Sequence, residues 1–167
     1  MTAAAGLRAD ADLESRVLDE HHQALKLWLR WLSCSTRIEE TIRRRLAAEF
    51  VTTLPRFDLM AQLERHPEGL TMRELSKRLM VTGGNVTGIT DQLEAEDLVV
   101  RAPHPTDRRA FSVQLTVAGR RLFRRMAVTH ERWVVELFAA WSPDQKSVVH
   151  EWLATLKTHL SRTDSTS

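Results

Sequence analysis

The chain has 167 residues, of which 43% are hydrophobic and 28% charged, the balance of one globular domain with a hydrophobic core. A net charge of +2 indicates no strong general attraction to nucleic acid, and the single cysteine, Cys34, excludes an internal disulfide. Neither a signal peptide nor an apolar run of membrane-spanning length is recognisable, so we expect a cytoplasmic protein without membrane contact.

A long helix is predicted between Asp19 and Phe50, because apolar residues recur there every three or four positions. Trp28 and Trp31 enlarge its apolar surface beyond what one narrow face requires. We therefore expect this helix to pack against another chain or against a distant part of its own. The stripe consists of Leu25, Leu29, Leu32, Ile38, Ile42, Leu46 and Phe50.

Three shorter helices are expected next. Pro55 suits the first turn of the first of them, and the segment 66–69 reads as a turn. Thr71 and Glu74 have the spacing of a capping box at the start of the second. Thr82 is expected to cap the third helix. The buried face of that helix is predicted to carry Val86, Ile89 and Leu93.

A hairpin is predicted after these helices. The run 98–100 is rich in β-formers, residues 111–115 alternate between apolar and polar, and 103–109 forms a polar loop between them. Thr116 opens a fifth helix, and Ser142 caps the last one. Short helix, turn, short helix and basic hairpin is the layout of a winged helix-turn-helix, so we predict a mostly α fold with a small β-hairpin wing and long terminal helices.

The helix that begins at Thr82 is expected to enter the major groove of DNA. Asparagine and glutamine can bond adenine, and threonine can touch the thymine methyl group. The paired glycines at its start either admit a close backbone approach to phosphate or merely ease a tight turn. The predicted DNA contacts are Thr71, Arg73, Lys77, Thr82, Gly84, Asn85, Thr87, Gly88, Gln92, Asp107, Arg108 and Arg109.

Between Arg101 and Arg125 seven arginines accompany a single acid, Asp107, and such an excess can attract phosphate. A solvated helix face is the equally simple alternative. The loop tip 105–109 suits a narrow minor groove, although an exposed turn with an internal ion pair has the same composition. Between Leu79 and Val100 there is no Lys or Arg, so we expect the acids there to face away from DNA.

The stretch Leu93–Gly119 reads Leu-Glu-x-x-x-Leu-Val-x-Arg, then Asp-Arg-Arg, then Leu-Thr-x-x-Gly. It resembles the end of the recognition helix and the wing of the MarR family, and the flanking helices extend the resemblance over most of the chain. The resemblance implies a homodimer that binds a palindromic operator in double-stranded DNA, with neither catalysis nor a cofactor. It implies one domain over 1–167, with a DNA-binding lobe at 54–115 and dimerisation helices at 12–52 and 116–162.

Two segments, 53–60 and 79–88, resemble the branch of these repressors that controls hydroxycinnamate and related aromatic-acid catabolism. That branch implies an aromatic acid or its coenzyme A thioester as effector. Aromatic side chains can pack on an aryl ring, and arginines, including the triplet 43–45, can pair with a carboxylate or phosphate. Core packing and a solvated helix face are the alternatives. The candidate ligand-binding residues are Trp28, Trp31, Arg37, Arg44, Phe57 and Met60.

Two other functions stay open. Cys34 can act as a redox sensor if its thiol is accessible, but its apolar neighbours favour a buried structural cysteine. The second open function is that of a helical interaction module that does not bind DNA. The histidines show no converging set of metal ligands, and no catalytic motif is recognisable, so we predict no metal site and no enzyme.

Overall fold

The computed structural model describes residues 22–79, 83–103 and 111–163. The mostly α architecture with a β-hairpin is confirmed, and the contacts divide the chain into two units, one ending at Phe123 and the other starting at Arg124. The elements are α1 (Gln23–Phe50), α2 (Leu54–Arg65), β1 (Leu70–Thr71), α3 (Met72–Leu79), α4 (Gly83–Ala95), β2 (Val99–Pro103), β3 (Phe111–Leu115), α5 (Val117–Leu137) and α6 (Pro143–Thr163).

The sheet has three strands in the order β1-β3-β2, where the sequence predicted only the hairpin. Leu70 pairs with Val113, and all neighbours are antiparallel. The additional strand is only two residues long, too short for an alternating pattern to reveal. Gly69 makes it possible: its φ of +93° favours glycine, and a Cβ there would lie 2.7 Å from Cγ of Gln114.

The core of the first unit lies where α2, α3 and α4 pack on one another and on the sheet. Phe57 of α2 packs on Phe123 of α5, with ring centroids 5.5 Å apart. Burial of this many aliphatic side chains supplies the main drive for folding the unit. Its other deeply buried members include Leu59, Met60, Leu63, Leu75, Val86, Leu93, Val99 and Val113.

The long helix α1 buries only its C-terminal part in the single chain. Ile42 and Leu46 are buried, whereas Trp28 and Leu32 are exposed. Cys34 lies in this exposed N-terminal part, so the expected burial of its thiol is wrong for the single chain. Its apolar sequence neighbours do not cover it, because they too face solvent here.

In the second unit Met126 and Trp133 are buried, and Ser142 caps α6 as predicted. The Gln145 side chain accepts a hydrogen bond from the Ser142 amide (2.8 Å), and the Ser142 hydroxyl accepts one from the Gln145 amide (3.2 Å). Helix α6 nevertheless exposes a row of large apolar side chains, which predicts a partner surface. They are Val148, Trp152, Leu156 and Leu160.

Candidate nucleic-acid interface

Helix α4 buries one face and exposes another, as predicted. Val86 and Leu93 are fully buried, but Ile89 is only half-buried and Thr90 takes the central place. A threonine can occupy that place because its hydroxyl donates to the carbonyl of Val86 at 2.8 Å. Its burial was missed because a polar residue breaks the apolar pattern.

Every described position of α4 that is expected to read DNA is exposed: Gly84, Asn85, Gly88 and Gln92 on the opposite face, and Thr87 to one side of it. A Cβ added to Gly83, Gly84 or Gly88 would meet nothing within 4 Å, and none of these glycines has a left-handed backbone. Neither packing nor a turn within the described chain therefore requires glycine at these positions.

The acids of α4 are engaged by arginines from other elements. The Arg101 guanidinium on β2 donates to Asp91 and Glu94, and its backbone N–H donates to Glu94 at 3.2 Å. Hydrogen bonding to Asp91, followed by the nearby negative charges, raises the pKa of Arg101 above its ordinary value. Just beyond the helix, Glu96 accepts from Arg56 of α2. These acids therefore serve to hold α4 against the sheet and α2.

This pairing corrects the interpretation of the arginine cluster as one cationic surface. Arg101 is bound to acids of α4, and Arg120 donates to Glu64 of α2 at 3.1 Å. Arg121 and Arg125 are exposed on α5. The remaining predicted contacts at the wing tip, Asp107, Arg108 and Arg109, lie outside the described residues, as does Thr82.

Helix α3 supplies exposed cations beside α4. Arg73 and Lys77 are both exposed, as a phosphate-binding role would require. Thr71 instead has its hydroxyl engaged in the predicted capping box. It donates to Glu74 at 2.8 Å and accepts from the Glu74 amide at 3.3 Å. The positioning of α3 is therefore the role that the contacts of Thr71 support.

The Leu-Thr-x-x-Gly step joins the start of α5 to the base of the hairpin. The Leu98 carbonyl accepts from the Thr116 amide at 3.1 Å, and the Thr116 hydroxyl donates to the Asp97 carbonyl at 2.7 Å. A Cβ on Gly119 would lie 1.9 Å from the Leu98 oxygen, so only glycine fits there. These contacts of Leu98, Thr116 and Gly119, which we call the clasp, explain why the motif has threonine and glycine at these positions.

The candidate ligand-binding residues do not come together on one chain. Phe57 and Met60 fill the core, with exposed fractions of 6% and 1%, whereas Trp28 and Trp31 expose 55% and 41%. Arg37 is exposed on the same helix as the tryptophans. At about 3.6 residues per turn, Arg37 lies on the side of α1 opposite to Trp28. One ligand on one chain therefore cannot bind both.

Arg44 lies two turns beyond Arg37, on the same side of the helix and still farther from the tryptophans. Next to it, Arg43 donates to Glu39 in an exposed ion pair. The triplet is therefore divided between different faces of α1. The prediction of a single cluster of aromatic rings and arginines is not supported by this arrangement.

A half-buried acid on α2 was missed from the sequence. Burial raises the pKa of Asp58, and the charge of Glu39 on α1 raises it further. Its position between buried Phe57 and Leu59 was the signal available, since an acid between buried residues is partly desolvated. Its negative charge would oppose an anionic ligand bound close to it.

Among the described residues, no group of three or more His, Cys, Asp and Glu side chains converges on a point where a metal ion could bind. Within the same ranges, every helix is too short or too polar to cross a membrane. Burial lowers the pKa of His130 below the ordinary value of a histidine.

The sequence model of the MarR family matches residues 52–110, from the end of α1 into the wing. A MarR family transcriptional regulator from Silicibacter pomeroyi has a similar structure: TM-score 0.69 and 34% identity, over 87% of this chain and 98% of that one. Sco3205 of Streptomyces coelicolor, a MarR family regulator solved in complex with DNA, reaches a TM-score of 0.73 at 25% identity, over 87% of this chain and 91% of that one.

Among curated proteins, the transcriptional activatory protein BadR of Rhodopseudomonas palustris is 29% identical over 62% of this chain and 60% of its own length. This chain spans between 49% and 64% of three curated relatives that it matches. The Silicibacter protein, Sco3205 and BadR are all named as transcriptional regulators, in agreement with the prediction that this chain is not an enzyme. The match to the Silicibacter protein along nearly its whole length shows that the chain belongs to the MarR family.

Proposed function

We propose that this protein regulates transcription in the cytoplasm by binding double-stranded DNA through the lobe 54–115. The observation that carries the proposal is the exposed polar face of α4, whose neighbouring acids are paired with arginines. Without Arg101, Asp91 and Glu94 would repel the phosphates of DNA. The DNA complex of Sco3205 supports the same use of this fold.

The binding species that we propose is a homodimer. Helices α1 and α6, within the expected dimerisation segments 12–52 and 116–162, expose large apolar side chains, including Leu27 at 66% and Trp152 at 69%. Apolar surface of this kind is typical of an interface. A two-fold dimer would place two copies of α4 in successive major grooves, about 34 Å apart, so the operator would be a palindrome.

The effector that we propose is an aromatic acid or its coenzyme A thioester, which would release a repressor from the operator of a catabolic operon. Exposed Trp28 and Trp31 support binding of an aryl ring, and exposed Arg37 and Arg44 support binding of an anionic group. Because these pairs lie on different sides of α1, we assign the aryl ring to Trp28 and Trp31, and the anionic group of that molecule is not bound by Arg37 or Arg44 of the same chain. The effector can act only as far as it prefers the form that does not bind DNA.

Fluorescence anisotropy on a labelled duplex from upstream of the gene tests the proposal. We expect salt-sensitive binding that Asn85→Ala weakens, with Glu151→Gln on exposed α6 as the matched control. p-Coumaric acid and p-coumaroyl-coenzyme A are then added separately. Release by one of them, abolished by Trp28→Ala, supports the effector assignment; binding that neither affects refutes that assignment alone. No binding to promoter duplexes refutes the DNA-binding function and favours an interaction module.

A further inference from the structure

We infer that α4 reads adenine–thymine base pairs, with Asn85 and Gln92 bonding adenine and the methyl group of Thr87 contacting thymine. The inference rests on the proposed function and specifies the class of base pair that the operator presents to this helix. Three features of α4 support it. The helix contains no Lys or Arg, it exposes the side-chain amides of Asn85 and Gln92, and the hydroxyl of Thr87 already donates a hydrogen bond within the helix.

Helix α4 contains neither Lys nor Arg, the side chains that most often bond guanine in the major groove. The arginine contacting it from the sheet, Arg101, donates to Asp91 and Glu94. Arg101 occupies one oxygen of Asp91 and both oxygens of Glu94, so Asp91 keeps one carboxylate oxygen that can accept a hydrogen bond from cytosine. Apart from that oxygen, the side chains of α4 favour an adenine–thymine pair over a guanine–cytosine pair.

The side-chain amides of Asn85 and Gln92 are exposed, and in the described part of the chain neither side chain forms a hydrogen bond. Their spacing of about two turns places them on one face, where they can meet two different base pairs. Gly84 and Gly88 lie on the same face with open space at their Cβ positions. The side chain that lies between the amides on this side of α4, Ile89, is half-buried, whereas both amides are exposed and so lie closer to the edge of adenine.

Thr87 differs from these residues because its hydroxyl is already used. The hydroxyl donates to the Gly83 carbonyl at 3.0 Å within the helix. The side chain is exposed, and because its hydroxyl proton is used, it can offer a base only its methyl group and the acceptor lone pairs of the oxygen. The thymine methyl is the apolar group that the major groove presents.

The test is selection from a library of 40-base-pair duplexes with 20 randomised positions, using the full chain. We expect wild type to enrich a palindrome with fixed A·T pairs in each half-site. Replacing one of these pairs by G·C should weaken binding about tenfold in anisotropy. Asn85→Ala and Gln92→Ala should each lose the preference at a different A·T position.

Matched variants separate reading of bases from other contacts. Thr87→Val keeps the methyl group and replaces the hydroxyl, so it should keep the thymine preference, whereas Thr87→Ser keeps the hydroxyl but loses the methyl group and should lose that preference. Arg73→Ala should weaken binding to all sequences equally, as loss of a phosphate contact does. Circular dichroism melts of the variants verify that each one folds.

Fixed G·C pairs at the positions altered by Asn85→Ala or Gln92→Ala would overturn the inference, and so would A·T preferences that no α4 variant changes. Either result leaves the proposed function intact, because wild type still enriches an operator. Failure of wild type to enrich any sequence overturns the proposed function itself, and the base-pair assignment with it.

Discussion

Arg101 binds Glu94 through both its guanidinium and its backbone N–H, so β2 is fixed to α4 by two bonds to one carboxylate. Asp91 accepts from the same guanidinium. Arg101 therefore ties the base of the wing to the helix proposed to read DNA. A guanidinium held in this way positions other groups rather than binding phosphate.

Arg101→Ala should therefore lower DNA affinity about tenfold, since two unpaired acids would then face the DNA and α4 would lose its support. The slope of log affinity against log salt should stay as in wild type, because no phosphate contact is lost. Anisotropy titrations over a salt series measure both quantities. Arg73→Ala is the control, with a slope reduced by about one; the same reduction for Arg101→Ala would make Arg101 a phosphate contact.

Gly119→Ala should destabilise the protein by about 2 to 3 kcal/mol, because the added Cβ would lie 1.9 Å from the Leu98 carbonyl oxygen. Gly88→Ala is the matched change in open space on α4, and should stabilise by about 1 kcal/mol through helix propensity. Urea unfolding of both variants gives the comparison. Equal effects at the two glycines would contradict the close approach at Leu98.

Asp58→Asn should stabilise the protein at neutral pH. The pKa of Asp58 is raised above 3.8 by burial and by Glu39, so its ionised form costs stability at every pH above that raised pKa. The cost declines as pH falls through the raised pKa and disappears below 3.8, the pKa of the unfolded chain. Melting temperatures of both proteins from pH 7 to pH 3 should therefore converge.

The control for this experiment is Glu39→Gln, which removes only the second cause and also breaks the ion pair with Arg43. At pH 7 the melting temperature should rise less for Glu39→Gln than for Asp58→Asn. A difference between Asp58→Asn and wild type that stays constant over the whole pH range would indicate a packing effect and exclude the charge as its source.

Trp152→Glu should convert the proposed dimer to monomers, because it places a charge in the apolar row of α6, where Trp152 is 69% exposed in the single chain. Val100→Glu adds the same charge to an exposed valine of the sheet and should leave a dimer. Sedimentation velocity distinguishes the two species. Dimers of Trp152→Glu as stable as wild type would place the interface elsewhere.

Cys34→Ser should leave DNA affinity and effector response unchanged, and hydrogen peroxide should not release wild-type protein from DNA. The thiol is exposed in the single chain, so oxidation of it tests the redox alternative directly. Peroxide-dependent loss of binding in wild type, absent from Cys34→Ser, would establish redox sensing instead.

Most helices could be predicted because their signals are local. The capping box of Thr71 and Glu74 and the cap at Ser142 are both formed as the sequence indicated, and each lies within one turn. The exposed face of α4 likewise follows from helical periodicity. Thr90 was missed because its hydrogen bond to the carbonyl one turn earlier satisfies a polar group that the pattern treats as exposed.

The contacts that organise the candidate site were not predictable in the same way, because they join distant parts of the chain. Arg56 and Glu96 pair across 40 residues, and nothing in either local sequence identifies the partner. The arginine count around the wing indicated cationic surface, but the fold pairs Arg101 and Arg120 with acids. A count of charges cannot distinguish a bound arginine from one that faces solvent.

Because of the clasp of Leu98, Thr116 and Gly119, the stability of the lobe does not depend on which residues form the wing tip. The bond from the Thr116 amide to the Leu98 carbonyl, 3.1 Å long, closes the hairpin at its base whatever residues lie between 104 and 110. Lengthening a closed loop raises its entropic cost only slowly. Natural variation can therefore exchange or extend the tip while the lobe beneath keeps its stability.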